Sequence, residues 1–267
     1  MFNYNFMKYA LIVGLIISLC SSLLGVSLTL RKKSMIGDGL SHVAFGAIAL
    51  GTALNFLSLK LTLLIVSLAS FFLLKVGKSS NKGDSDIAIL SSSSLAFGIM
   101  AISLKGGVNS DLNNYLFGSI LSLNKEDLIL SLALGFIVIF FFIFFYHKIF
   151  ALTFDDMFSQ STGLKVNFYE AIIAILTSIT IVLGMNLMGT LLISSLLIFP
   201  SIGAKEVAKT FKSLTIISAL FSITAFTVGL FLSYYLNLPT GSTIVLTNLS
   251  FLLILKLIGI IKRSKLK

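Results

Sequence analysis

Asp38 and His42 are the residues of this sequence best placed to do chemistry. They sit in the run Met35-Ile36-Gly37-Asp38-Gly39-Leu40-Ser41-His42, and a separation of four puts two side chains on one helix face, about a turn apart. A carboxylate oxygen and an imidazole nitrogen so arranged can bind one divalent cation such as Zn²⁺ or Mn²⁺. Two ligands make a weak site, which suits an ion that must be released again. The same spacing also admits a structural role, with Asp38 capping a helix and His42 hydrogen-bonding a neighbour. Ionisable groups inside apolar segments are costly to keep, which favours the ligand reading.

Other candidates carry less. His147 beside Lys148 reads as an interfacial residue, and Glu170 near the start of an apolar run is ambiguous. Gly77-Lys78-Ser79-Ser80 resembles the end of a phosphate-binding loop, but Phe72 stands where that motif needs glycine and no strand precedes it. There is also no G-x-S-x-G elbow and no HExxH helix. The chain therefore carries no ATPase site of its own and no recognisable enzyme motif.

The elements that must position Asp38 and His42 follow from composition. The 267 residues are 57% apolar and 11% charged, against roughly 45–50% and about 25% in soluble domains. Runs such as Leu128 to Tyr146 have no charge at all, and about 20 such residues span a hydrocarbon core. With no water to satisfy the backbone, each run must be a helix, because the alternation of a closed barrel is absent. The expected fold is an all-α integral membrane protein, a polytopic bundle of eight or nine transmembrane helices. Nine spans are placed at about 7–30, 40–59, 61–76, 87–104, 128–147, 169–187, 188–204, 213–236 and 243–261. The sixth and seventh abut at Asn186 to Gly189, so one of them is a candidate for a short, broken or re-entrant segment. Tyr115 to Leu123 is apolar but too short to cross, a candidate half-inserted piece. The second span is rich in small residues, Gly46 and Gly51 with Ala44, Ala47, Ala49 and Ala53, which suits close packing or a pore wall.

Charge sets the orientation. The net charge of +10 is dispersed in short clusters between apolar runs, not gathered on a soluble face, so a nucleic-acid partner is not expected. With the N-terminus outside and the C-terminus in the cytoplasm, Lys8, Lys60, Lys105 and Lys125 lie outside and the other sixteen of the 20 Lys and Arg lie inside. The first span contributes only Lys8 to this bias, which leaves its count open. The lone cysteine, Cys20, excludes an intramolecular disulfide and a cysteine metal cage. It follows Ile17-Ser18-Leu19, which lacks the small residue of a lipoprotein cleavage site, and Met7 to Leu30 is long for a signal peptide. Of the loops, Lys105 to Asp127 is expected outside. Lys148 to Phe168 is expected inside, with a short surface helix around Phe154-Asp155-Asp156-Met157-Phe158 that has an Asp near its start.

Four stretches resemble one family, in order. MIGDGLSHVAFGAIALG at 35–51 is similar to the signature of the membrane permease subunit of bacterial zinc/manganese/iron ABC importers. LAFGIMAISLKGGVNSDLNNYLFGSIL at 95–121, MGTLLISSLLIFPSIGA at 188–204 and LPTGSTIVL at 238–246 resemble the same family. The resemblance implies a multi-pass protein of the bacterial cytoplasmic membrane, with residues 1–267 as one transmembrane permease domain. It implies a second permease copy, two cytoplasmic ABC ATPase subunits and an extracytoplasmic metal-binding protein. It assigns Asp38 and His42 to a transient site for the transported Zn, Mn or Fe ion, with no permanently bound cofactor. The stretch FDDMFSQSTGLKV at 154–166, within a coupling segment of about 150–166, looks like the part that meets the ATPase. That carries the coupling role to Asp155, Asp156, Phe158 and Gly163, although Phe158, Ser159 and Gln160 replace the family's usual Ala-rich, acidic continuation. Two rivals stand against this reading. A siderophore or cobalamin permease has no reason to carry an Asp–His pair, and a secondary transporter or channel would show more intramembrane carboxylates or matched broken helices.

Overall fold

The computed structural model describes residues 5–54, 59–79, 83–104, 118 and 125–264. The described residues form helices and connecting turns only. They are α1 (Asn5–Leu30), α2 (Ser34–Ala53), α3 (Leu59–Ser79), α4 (Gly83–Leu104), α5 (Lys125–Phe144), α6 (Tyr146–Phe154), α7 (Asp156–Ser161), α8 (Val166–Met188), α9 (Thr190–Val207), α10 (Phe211–Leu236) and α11 (Thr240–Ser264). Seven of them, α1, α4, α5, α8, α9, α10 and α11, are long and apolar enough to cross a membrane. The chain is thus an all-α polytopic membrane protein. In α3 the described apolar stretch, Leu61–Leu73, is shorter, and α2 is diluted by small and polar residues. The segment Tyr115 to Leu123 lies outside the described residues apart from Gly118.

α1 is the axis of the bundle, packed by α5, α8, α9 and α10. Most of its serines find partners within the chain, whereas Ser21 Oγ is buried without a hydrogen-bond partner among the described residues. Ser18 and Ser22 donate back to the carbonyls of Leu15 and Leu19, and Ser222 of α10 donates to the Ser18 carbonyl at 2.9 Å. Polar groups closed in this way tie helices together where lipid supplies no partner. The outer faces are the reverse of a soluble protein: Phe136, Ile143, Phe144, Leu104 and Leu257 all point outward, as lipid contact requires.

Small residues let backbones meet. A Cβ on Gly25 of α1 would lie 1.9 Å from the Leu197 carbonyl oxygen of α9. One on Gly46 of α2 would lie 2.6 Å from the Ser94 carbonyl oxygen of α4. Within the small-residue stripe read in the second span, Gly46 is thus a point of close packing against α4.

The abutting sixth and seventh spans resolve into two full helices, α8 and α9, of 23 and 18 residues. They are divided at Gly189, whose φ of +86° and ψ of 160° lie in a region essentially restricted to glycine. At the other end of the bundle, α1 turns into α2 through Arg31, Lys32 and Lys33, with Lys32 left-handed at φ +59°. α2 begins at Ser34, six residues before the apolar run that marks it in the sequence, and so takes both Asp38 and His42 into the helix. The end of the bundle that carries this turn also carries α6 and α7.

Candidate metal-binding pair and coupling end

Asp38 and His42 lie about 6 and 12 Å along α2 from Ser34, at the helical rise of about 1.5 Å per residue. His42 Nε2 is 3.8 Å from Asp38 Oδ2, too long for a hydrogen bond. At metal–ligand bonds of about 2.1 Å, two tetrahedral ligand atoms lie roughly 3.4 Å apart, so a closing of about 0.4 Å would chelate one ion. His42 Nδ1 is buried and has no hydrogen-bond partner among the described residues. The structural alternative for the pair fails on both halves. The N-cap of α2 is Lys33, not Asp38, and His42 makes no hydrogen bond to its neighbours within the described structure.

The pair opens outward. The Asp38 side chain is 41% exposed and that of His42 21%, while Leu40, Val43 and Ala44 on the other face are buried. Behind the pair, Ser41 donates to the Asp38 carbonyl at 2.7 Å and lies 3.1 Å from Ser194 of α9. Among the described residues no third His, Cys, Asp or Glu joins Asp38 and His42.

Charge gathers at the α1–α2 turn. Arg31 Nη2 donates to both oxygens of Asp156 at 2.9 Å and also to Glu170, near the start of α8. Lys33 Nζ lies 3.5 Å from the same Glu170 oxygen. Arg31 and Glu170 are only 8% and 4% exposed, whereas Asp156 is 42% exposed. Three parts of the chain, the α1–α2 turn, α7 and α8, thus meet on one guanidinium. Sequence reasoning left Glu170 open and missed Arg31; the available signal was an acid inside an apolar run, which needs a cation.

α7 is built as a surface helix. Asp155 caps it, its side chain accepting from the Phe158 backbone N–H at 2.9 Å. Gly163 ends it at φ +77°, where the Leu164 N–H reaches the Ser159 carbonyl and the Gly163 N–H reaches that of Gln160. That pattern closes the last orphan carbonyls and calls for glycine. Both acids read as docking groups are therefore engaged within the chain, Asp155 as the cap and Asp156 with Arg31. Met157, Phe158 and Phe154 are left pointing outward, with Phe154 packed on Phe150 and Phe211. His147, by contrast, sits exposed in α6. Next to it Lys148 donates to the Tyr169 hydroxyl at 2.8 Å and lies over the Phe145 and Tyr169 rings.

The chain is similar to known proteins along almost its whole length. Residues 3–259 match the ABC 3 transport family. The chain is 34% identical over 248 residues to the manganese import system permease protein ScaB of Streptococcus gordonii, covering 92% of this chain and 88% of that one. It is 33% identical over 261 residues to the high-affinity zinc uptake system membrane protein ZnuB of Haemophilus influenzae, covering 96% and 97%. Its backbone superposes on PsaBC from Streptococcus pneumoniae, solved in complex with Fab, with a TM-score of 0.83 at 31% identity, over 95% of this chain and 91% of that one.

Proposed function

Because the chain belongs to the ABC 3 transport family, we propose that it forms the translocation path of a divalent-metal importer driven by separate ATPase subunits. It is a multi-pass permease of the bacterial inner membrane and not itself an enzyme; ATP is hydrolysed on another subunit. The cargo is Mn²⁺ or Zn²⁺, as in the named manganese and zinc relatives, with Fe²⁺ compatible with the same donor atoms. The metal is substrate and not a resident cofactor.

The observation that carries this reading is the Asp38–His42 pair on one face of α2, 3.8 Å apart, with the buried His42 Nδ1 unpartnered among the described residues. An oxygen and a nitrogen donor hold the ion weakly enough to let it go. The pair faces away from its own bundle, and a second permease copy placed against that face would enclose it and add ligands or wall. This supports a path between two copies. The basic end of the bundle is the cytoplasmic one, with the N-terminus outside, the C-terminus inside and eight or nine spans. An extracytoplasmic metal-binding protein delivers the ion to the opposite end.

Coupling runs through α6 and α7, within about 150–166. Met157 and Phe158 offer an apolar knob to the ATPase, Asp155 and Gly163 fix the two ends of α7, and Asp156 ties it to Arg31. Arg31 stands three residues before Ser34, where α2 begins, so a push on α7 is delivered to the helix that carries the metal pair. A shift of a few tenths of an ångström between Asp38 and His42 changes their fit to an ion, which is what alternating access needs.

The test is uptake of radiolabelled Mn²⁺ and Zn²⁺ in cells deleted for the gene and complemented with wild type, Asp38→Ala or His42→Ala. Both variants are expected to assemble with the ATPase and to import neither metal. Normal uptake by both would remove the pair from the path.

A further inference from the structure

α5 and α10 both pack on α1 but make no extensive contact with each other, which leaves a groove between them with α1 as its floor. The groove has a volume of about 700 Å³. Leu19, Leu23, Ile139, Phe142, Ile143 and Ile216 form its apolar walls, and Tyr146, His147, Lys212 and Thr215 close one end. From Ile139 to His147 it runs about 12 Å, less than half of a hydrocarbon core about 30 Å thick, so it occupies one leaflet. Its polar mouth lies at the end of the bundle where Arg31 meets Asp156. Among the described residues no carboxylate lines it. Lys148 is engaged with Tyr169, so Lys212, in the first turn of α10, is the cation the mouth presents, with the His147 ring as a second polar group.

We propose that this groove holds an anionic phospholipid of the cytoplasmic leaflet, with an acyl chain along α1 and the phosphate at Lys212 and His147. The inference rests on the membrane embedding and orientation given above, and not on the metal path. An acyl chain gains little by leaving bulk hydrocarbon for an apolar groove, so the walls do not discriminate between lipids. The discrimination comes from charge: a basic mouth between membrane helices on the cytoplasmic side favours an anionic headgroup. Lys212 also brings an aliphatic stem that lies along the apolar wall while its ammonium reaches the headgroup level. One basic residue at an anionic surface sets the expected preference at about fivefold.

The test is native mass spectrometry of the complete importer complex, delipidated and then titrated with phosphatidylglycerol or phosphatidylcholine of matched chains. Wild type is expected to retain phosphatidylglycerol about fivefold better, Lys212→Ala to lose that preference, and Lys262→Ala to keep it. Ile139→Trp, which fills the wall of the groove, is expected to reduce retention of both lipids while the complex stays intact. Equal retention of the two lipids by wild type, or an unchanged preference in Lys212→Ala, overturns the proposal. Disulfide-linked dimers formed by Ile143→Cys but not by wild type, whose Cys20 is buried, would overturn it too, because a second copy would then cover the groove. A complex that extracts from membranes and imports metal but fails the lipid test sinks only this inference.

Discussion

Replacing Glu170 by Gln removes one negative charge from a cluster in which it faces two cations. Glu170 and Arg31 are almost fully buried, and Lys33 Nζ is 3.5 Å from the same carboxylate. Removing one partner of a buried ion pair leaves the other charge uncompensated, at a cost of about 3–5 kcal/mol. Asp156 binds the same guanidinium but is 42% exposed. Water replaces it readily, and Asp156→Asn is expected to cost no more than about 1 kcal/mol. At about 2–4 °C per kcal/mol, the midpoint of thermal unfolding should fall by roughly 6–20 °C for Glu170→Gln and by less than about 4 °C for Asp156→Asn. Size-exclusion chromatography of the detergent-extracted protein after graded heating measures both. The functional readouts should invert this order. Asp156→Asn frees α7 from the α1–α2 turn and should let the complex hydrolyse ATP with little metal uptake, although the permease itself remains stable. Equal thermal shifts for the two variants would refute the buried-pair reasoning. Tightly coupled transport in Asp156→Asn would refute the route through Arg31.

Two further outcomes follow from the same geometry. Met157→Glu and Phe158→Glu change side chains that touch little of their own chain, so they should abolish co-purification of the ATPase without moving the unfolding midpoint; retained ATPase would take α7 out of the docking surface. Gly25→Ala places a methyl 1.9 Å from the Leu197 carbonyl oxygen and should sharply lower the yield of folded protein. Gly37→Ala meets only the tip of the Leu197 side chain, at 2.9 Å, and should be milder. Equal yields would mean that α1 and α9 separate more easily than their packing implies.

The helices were legible because a bilayer leaves the chain little choice: an uncharged run such as Leu128 to Tyr146 must hydrogen-bond to itself. The break at Gly189 was legible as two spans that abut. The start of α2 was not, because Ser34 to Gly39 is too polar to register as membrane. That stretch is helical because the turn at Arg31, Lys32 and Lys33 returns the chain against α9, where Gly37 packs on Leu197. The spacing of Asp38 and His42 is a local property and was read correctly as one helix face. The Arg31 cluster joins residues more than a hundred positions apart, and nothing local encodes which acid meets which cation. For that reason Asp156 read as a free docking group, although its carboxylate is bonded to Arg31 within the chain.

Leu197 touches two notches at once. Its carbonyl fills the space left by Gly25 on α1, and its side chain fills that left by Gly37 on α2, next to Asp38. One residue of α9 is thus seated in two helices at once, by its backbone in α1 and by its side chain in α2. A change at Leu197 is therefore felt at both interfaces together, and on α2 at the stretch that carries Asp38.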